Sequence, residues 1–379
     1  MTNTPLYDVA IIGGGLSGLS LAIQSAAEGY TVVLFEKENY PFHKVCGEYI
    51  SFESWPFLQR LGADLKSLDL PVIKKLHLSD VKGNSYSFDL PLGGFGISRF
   101  SLDFSLYEIA VAKGVNVRTN NKVSAVIYSN DLFTITASDQ QFQAKVAVCS
   151  YGKRSNLDVK WCRPFTLQKS SGLSNYIGVK YHIKYNHDPG SIWLHNFFDG
   201  YCGMSKIEGE KSCLCYLTTA QNLRESGNSI REMQRKILYE NPQLREIFSS
   251  AEFVYDEPLA ISQISFSKKM QVENHLLMLG DAAGMISPLC GNGMSMAMHS
   301  SKLAFDSIKL FLQSKMTRYE MEKRYETDWK DAFSSRLWIG RNVQKLFGGN
   351  TTTSVFLKTM HSIPSLAKLL IRSTHGTSF

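Results

Sequence analysis

Three glycines, Gly13, Gly15 and Gly18, stand in the run Gly13-Gly14-Gly15-Leu16-Ser17-Gly18. An acid, Glu36, follows at about the 20-residue distance at which a carboxylate reaches a ribose. That pattern suits the grip of a dinucleotide. The first glycine permits a tight turn, the second lets the backbone approach a diphosphate, and the third lets helix and strand pack closely. The phosphates then rest on a helix N-terminus whose amides are unpaired, while the acid accepts a ribose hydroxyl. Leu16, Ser17 and Lys37 fall in the same cradle. The run alone leaves NAD and FAD both open.

A second constellation lies far down the chain. Gly280-Asp281 ends an apolar run, and Pro288, Gly291, Asn292, Gly293 and Met294 lead into a helical pattern. Asp281 can accept hydrogen bonds from a ribityl or ribose chain. Backbone amides around Asn292, at a helix N-terminus, would favour negative charge on a reduced isoalloxazine. An NAD domain needs no such second anchor, whereas a flavin, with a ring beyond the diphosphate, does. FAD is therefore the expected cofactor, with NADH or NADPH as candidate electron donors.

Groups able to move a proton come from between these stretches. The loop Asn39–Ser51 follows a strand, and in a doubly wound fold such loops reach the ligand crevice. It carries His43, Lys44 and Cys46. Cys46 is a candidate thiol beside the reactive ring; its plainer reading is a small buried residue before a glycine turn. Tyr201 is the second candidate catalytic residue and His43 a third. Aromatic residues including Tyr181, Trp193, Phe197, Phe198 and Tyr216 line either an apolar pocket or a core. Cys213 and Cys215 share one face of a strand without the partners a metal requires, so no metal site is expected.

The elements that must position these groups follow from periodicity. Val9–Ile12 reads as a parallel strand buried on both faces, followed by a helix up to Gly29 and a strand from Thr31 to Phe35. Ile73–Leu78 and Ser85–Leu90 alternate like paired strands of another sheet. A helix with Ser101 as N-cap and Asp103 in its first turn runs to about Lys113. Val115–Arg118, Val123–Tyr128, Leu132–Ala137 and Phe142–Cys149 read as strands, as do Tyr176–Tyr185, Ile192–Phe198, Ser212–Thr218 and Ala260–Phe266. Helical patterns cover Ile230–Tyr239, Met294–Leu312 and Arg318–Lys330. An amphipathic stretch, Ile363–Ile371, reads as part of a helical cap, with membrane docking as its alternative.

The fold class is α/β: a Rossmann-like FAD-binding domain with a parallel sheet, an inserted antiparallel-sheet substrate domain and a C-terminal helical cap. The cofactor domain takes residues 1–72, 99–155 and 271–315; the substrate domain takes 73–98 and 156–270; the helical region takes 316–379. With 379 residues, 44% hydrophobic and 20% charged, the chain has the composition of a folded soluble protein. A net charge of +7 without a run of like charges excludes a nucleic-acid tail and leaves a weak peripheral membrane association open. Seven cysteines, with no CxxC pair and no secretion signal, argue against a disulfide framework and for the cytoplasm.

Together these motifs resemble the flavoprotein superfamily of para-hydroxybenzoate hydroxylase-type monooxygenases, geranylgeranyl reductases and flavin-dependent halogenases. The glycine turn with Glu36, the segment Arg99...Leu102-Asp103...Leu106, and Gly280-Asp281 with Pro288, Gly291 and Gly293 are similar to its three FAD signatures, in order. Pro41...Lys44...Cys46-Gly47 resembles the geranylgeranyl reductase branch. The resemblance implies that Arg99 binds the diphosphate or ribityl region, and that Lys44 and Cys46 lie at the cofactor. The hydroxylases' Asp-Gly signature is replaced by Tyr151-Gly152, and Gly200–Ser205 keeps only the tyrosine of the reductases' substrate segment. The implied activity is an FAD-dependent reductase acting by hydride transfer at flavin N5 on an apolar or amphipathic small molecule. The alternative is a monooxygenase of an aromatic or polyketide-like ring acting through a C4a-hydroperoxide.

Overall fold

The computed structural model describes residues 5–167 and 174–379. Its first sheet is built outward from the strand Leu6–Ile12. This strand pairs in parallel with Val32–Phe35 on one side and Gln140–Cys149 on the other. Val9, Ala10 and Ile11 are fully buried, because a strand with parallel neighbours and helices on its faces meets no water. Asn116–Arg118 extends the sheet beyond Val32–Phe35, and Leu276–Met278 extends it beyond Gln140–Cys149, both in parallel. Strands added on opposite sides of Leu6–Ile12 make its C-terminal end a topological switch point, where open α/β sheets hold ligands. The glycine turn begins there.

Three helices, Leu16–Ala27, Arg99–Ala112 and Gly293–Leu312, pack together beside this sheet. The second sheet takes Tyr49–Ser51, Val72–Ser79 and Ser85–Gly96 from the first quarter of the chain. It adds Ser174–Lys184, Ser191–Phe197, Gly200–Lys206, Ser212–Thr219 and Leu259–Ser265 from the middle. Its pairs are antiparallel except Val72–Ser79 with Ser191–Phe197, the parallel pair that joins the early strands to the late ones. The long helix Arg318–Gln344 and the helices Asn350–Ser362 and Pro364–Thr374 close one end. Among the described residues no helix is long and apolar enough to cross a membrane.

The structure departs from the sequence reading in specific places. Ser98, not Ser101, caps the helix Arg99–Ala112: Ser98 is extended and its hydroxyl accepts the Ser101 amide at 3.1 Å. The helix therefore starts at Arg99, and Asp103 falls one turn on, where it can reach back to Arg99. Gly200–Lys206 is a strand between Ser191–Phe197 and Ser212–Thr219, although its glycines hide the alternation. Gly200 has no room for a side chain, since a Cβ would stand 2.4 Å from the Phe197 ring. The Arg318 helix runs 14 residues beyond Lys330, to Gln344. Gly340 permits its close approach to Cys290, with a Cβ position 3.1 Å from that sulfur.

Candidate active site

The three glycines of the first turn do different work. Gly13 has φ +109°, and a Cβ there would lie 2.6 Å from the Ser150 carbonyl. A Cβ on Gly18 would lie 2.0 Å from the Gly13 oxygen. Both are demanded by the chain's own packing. Gly15 is different: a Cβ there would meet only Arg99 Nη2 and Lys44 Nζ, each 3.7 Å away. Two cations thus overlook an open space at the N-terminus of the helix Leu16–Ala27.

Those cations share a single carboxylate. Arg99 donates to Asp103 through Nε and Nη2 at 2.7 Å each, and Lys44 Nζ lies 3.1 Å from the same group. Burial alone would raise the Asp103 carboxyl, but Arg99 and Lys44 overcome it and hold it below the usual range. Two positive charges against one negative leave an excess at Gly15, to which the helix end adds its own. A diphosphate fits that cradle, so the FAD assignment passes a test on the chain's own geometry.

Around it stand Glu36 and Tyr40. Glu36 is buried at the end of Val32–Phe35, accepting from the Gly14 amide at 2.9 Å and the Glu38 amide at 3.1 Å. It fastens the turn while each oxygen keeps a lone pair for a ribose hydroxyl. The Tyr40 hydroxyl donates to the Gly14 carbonyl, and its ring stacks on Tyr107 with centroids 4.5 Å apart. Lys37 points to solvent, 3.4 Å from Glu38. Leu16 and Ser17 are buried in the first turn of their helix.

The two glycine-rich segments meet. Ser17 Oγ lies 3.0 Å from where a Gly280 Cβ would be, and the Gly280 amide donates to Ser300 Oγ at 3.0 Å. The Gly280–Ala282 turn is clamped by two buried cations that sequence reasoning missed. Lys269 Nζ donates to the carbonyls of Asp281 and Lys153 at 2.7 Å each. Arg163 reaches the Ala282 carbonyl at 3.2 Å while paired with Asp158 at 2.9 Å and Glu273 at 3.1 Å. Burial pulls the Lys269 ammonium down to about 8 despite Asp281 and Asp158. Neither lies in a periodic stretch, Arg163 standing between Cys162 and Pro164 and Lys269 between Lys268 and Met270, so the sequence offered no signal.

Asp281 borders a cavity of about 10 Å³ shared with Gly293 and Met296. Beyond the Pro288–Cys290 turn, Gly291 has φ +64° and lies under Tyr49, whose ring a Cβ would approach to 2.9 Å. Asn292 is fully buried and donates to the Thr374 carbonyl at 2.6 Å, tying this loop to the C-terminal helices. Gly293 opens the next helix and Met294 is buried in its first turn. Tyr201 is 4% exposed, on the strand behind the Ser287–Cys290 segment, and burial drives its hydroxyl well above the usual value.

The loop carrying Cys46 is held from the second sheet. Lys180 Nζ donates to the Lys44 carbonyl at 3.1 Å, Cys213 Sγ to the Cys46 carbonyl at 3.2 Å, and Ser205 Oγ to the Gly47 carbonyl at 3.5 Å. Cys46 itself is half-buried and its side chain engages Arg99. At the loop's end Glu48 is fully buried, bonded to Lys180, to His182 Nε2 at 2.6 Å and to the Arg99 amide at 2.8 Å. Lys180 and His182 alternate on one face of their strand, opposite Cys215 and Cys213. That polar alternation inside an apolar strand is the signal the sequence held. His43 borders this group, its ring meeting His182 edge-on with centroids 5.3 Å apart while it stacks on Phe100 and bonds through Nε2 to Tyr255 at 2.8 Å.

The ligand atoms of Glu48, His182 and Cys213 lie within 4.8 Å of one another, a spacing a metal ion would accept. Three donors already occupy the Glu48 carboxylate, and burial, then Glu48, keep the Cys213 thiol protonated. The cluster is a buried ion group that braces the cofactor loop.

Comparison with known proteins agrees with this geometry. The family model described as "FAD dependent oxidoreductase" matches residues 8–44, the segment from the first strand to Lys44. A digeranylgeranylglycerophospholipid reductase of Methanococcus vannielii is 23% identical over 86% of this chain and 82% of its own. A flavin-dependent halogenase of Armillaria mellea, armH3, is 22% identical over 92% of this chain and 76% of its own. Conditioned medium factor receptor 1 of Dictyostelium discoideum is 24% identical over 99% of this chain and 75% of its own. Among solved structures, the flavin-dependent brominase Bmp2 superposes with a TM-score of 0.79 at 18% identity, covering 99% of this chain and 94% of that one. The cofactor is FAD and the activity that of an oxidoreductase, with reductases and halogenases both among the relatives.

Proposed function

We propose that the chain is an FAD-dependent reductase of an apolar or amphipathic small molecule, taking electrons from NADH or NADPH in the cytoplasm. The observation that carries this reading is the placement of Cys46: a half-buried thiol next to Arg99, on a loop whose next residue, Gly47, is exposed with open space at its Cβ position. Bound FAD would supply the hydride at N5. Arg99, Lys44 and the Gly15 amide side would hold the diphosphate, Glu36 the adenosine ribose, and Asp281 the ribityl chain. Cys46 is the residue of choice for giving a proton to the reduced carbon. Tyr201, which burial keeps protonated, is the second. The similarity to digeranylgeranylglycerophospholipid reductases supports the substrate class. Seven free cysteines support a reducing compartment.

The test is to reduce the purified protein anaerobically with NADH, NADPH or dithionite and follow flavin reoxidation by polyprenyl or polyketide acceptors and by oxygen. Rapid reoxidation by an unsaturated polyprenyl acceptor, with a saturated product, supports the reductase. Oxygen consumption coupled to an oxygenated product rejects it in favour of the monooxygenase. A Cys46→Ser variant that keeps full turnover would take the thiol out of the mechanism.

A further inference from the structure

The net charge of +7 is not spread over the chain. Residues 332–379 contain six Lys or Arg and no Asp or Glu, so this segment of 48 residues holds +6 and the remainder only +1. Arg336 is turned inward, 3.5 Å from Glu53. Lys345, Lys358, Lys368 and Arg372 are exposed, and among the described residues none forms an ion pair. A folded surface ordinarily intersperses both signs.

Large apolar side chains are exposed among these cations: Trp338 at 64%, Val355 at 58%, Ile363 at 46% and Leu369 at 65%. Trp338 and Lys345 fall seven residues apart on the outer stripe of Arg318–Gln344. On Pro364–Thr374, Lys368, Leu369 and Arg372 occupy the outer stripe while Ala367 and Ile371 face inward. Exposed tryptophan and aliphatic side chains interleaved with unpaired cations match a lipid–water interface, where amphipathic rings and basic groups sit at headgroup level. A nucleic acid would use the charge but not Leu369, Ile363 or Val355.

The inner face of the same helices points toward the site. Leu357, Met360, Ala367 and Ile371 share one apolar cluster with Tyr201, Leu217, Ile264, Phe266 and Met285. Asn292, in the second glycine loop, is bonded to Thr374 at the end of the last helix. The cap therefore lies between the outer surface and the apolar region next to the cofactor loops.

We propose that the outward faces of the three C-terminal helices form a docking surface for an anionic lipid bilayer, which the protein binds peripherally. The proposal stands on charge and exposure and is independent of the reaction assigned above. Its test is sedimentation of the full-length flavoprotein with vesicles of phosphatidylcholine alone and of equimolar phosphatidylcholine and phosphatidylglycerol. Pelleting with the anionic vesicles, and release by salt, is expected. Each basic residue at such a surface changes partition about fivefold, so Lys358→Gln, Lys368→Gln and Arg372→Gln together should weaken it on the order of a hundredfold. Trp338→Ser with Leu369→Ser should weaken it at constant charge. All five positions are exposed, and unchanged FAD content and melting temperature verify that each variant folds. Failure to pellet with anionic vesicles, equal binding by all variants, or binding to duplex DNA that depends on the three cations while vesicles are ignored would each overturn the proposal.

Discussion

The Glu48 carboxylate accepts from His182 Nε2 at 2.6 Å, joining the last residue of the cofactor loop to the middle of the second sheet. Burial would raise the Glu48 carboxyl, but the His182 bond and the Lys180 charge hold it below its usual value. A carboxyl depressed in the folded state stabilises above its unfolded value and loses that contribution as pH falls through the folded one. Wild-type protein should therefore keep this contribution at neutral pH and lose it in acid. Glu48→Gln leaves the Lys180 ammonium buried without its counter-charge, at a cost of about 3–5 kcal/mol. Thermal melts should show the loss, and Glu48→Gln with Lys180→Met should recover part of it. A single variant that melts like wild type would show that the cluster is not a brace.

Much of the first sheet and both glycine segments were legible because their signals are local. An apolar run before Gly13, or a strand ending at Gly280, restricts backbone geometry within a few residues. What escaped was set by distant partners. Nothing near Lys269 or Arg163 in sequence shows that each is buried on the Gly280–Ala282 turn, since the carbonyls they bond belong to segments that only the fold brings near. Gly200–Lys206 was hidden for a related reason: its glycines exist to admit Phe197 and a facing backbone, so the strand carries no alternation of its own. Glu48 lay one residue beyond a segment the resemblance picked out, yet its role needs Lys180 and His182, more than 130 residues away.

Lys269 gives the pH dependence an alkaline arm. Its ammonium, buried and pulled from 10.5 to about 8, is harder to protonate in the folded state than in the unfolded one. The unfolded chain binds more protons between these values, so stability should rise from about pH 8 toward 10.5. The shift corresponds to about 3 kcal/mol at full extent. Lys269→Met should remove the rise, because an apolar side chain fills the site without a charge to desolvate. The same variant frees the Asp281 carbonyl and should speed FAD release. Chemical denaturation at several pH values, with flavin fluorescence in parallel, measures both.

Lys44 and Arg99 differ in what they hold. Lys44 is partly exposed and supplements an Asp103 that Arg99 already binds through two nitrogens. Lys44→Ala should leave the fold intact and weaken FAD binding by about 1.5–3 kcal/mol, the range for a charge-assisted bond, or roughly ten- to a hundredfold. Arg99→Gln strips the buried Asp103 of its main partner and should lower the melting temperature of the apoprotein as well. If both variants lost only FAD affinity, the Arg99–Asp103 pair would carry no structural weight.

Gly15 and Gly18 separate cofactor binding from folding most cleanly. Gly15 has φ −84° and ψ −173°, an extended backbone that alanine adopts freely, and its Cβ position is open apart from the two cations. Gly15→Ala should fold with an unchanged melting temperature as the apoprotein. Its methyl group would stand where the diphosphate must approach, so purified protein should be colourless and FAD titration should fail. In Gly18→Ala the methyl would lie 2.0 Å from the Gly13 oxygen, and the turn must shift whether or not cofactor is present. Overpacking of that kind costs about 1–3 kcal/mol, seen as a lower apoprotein melting temperature. Calorimetry of the two apoproteins beside their FAD titrations decides the matter. A Gly15→Ala protein that binds FAD as wild type would place the diphosphate away from the space between Arg99 and Lys44, and the cradle would have to be redrawn.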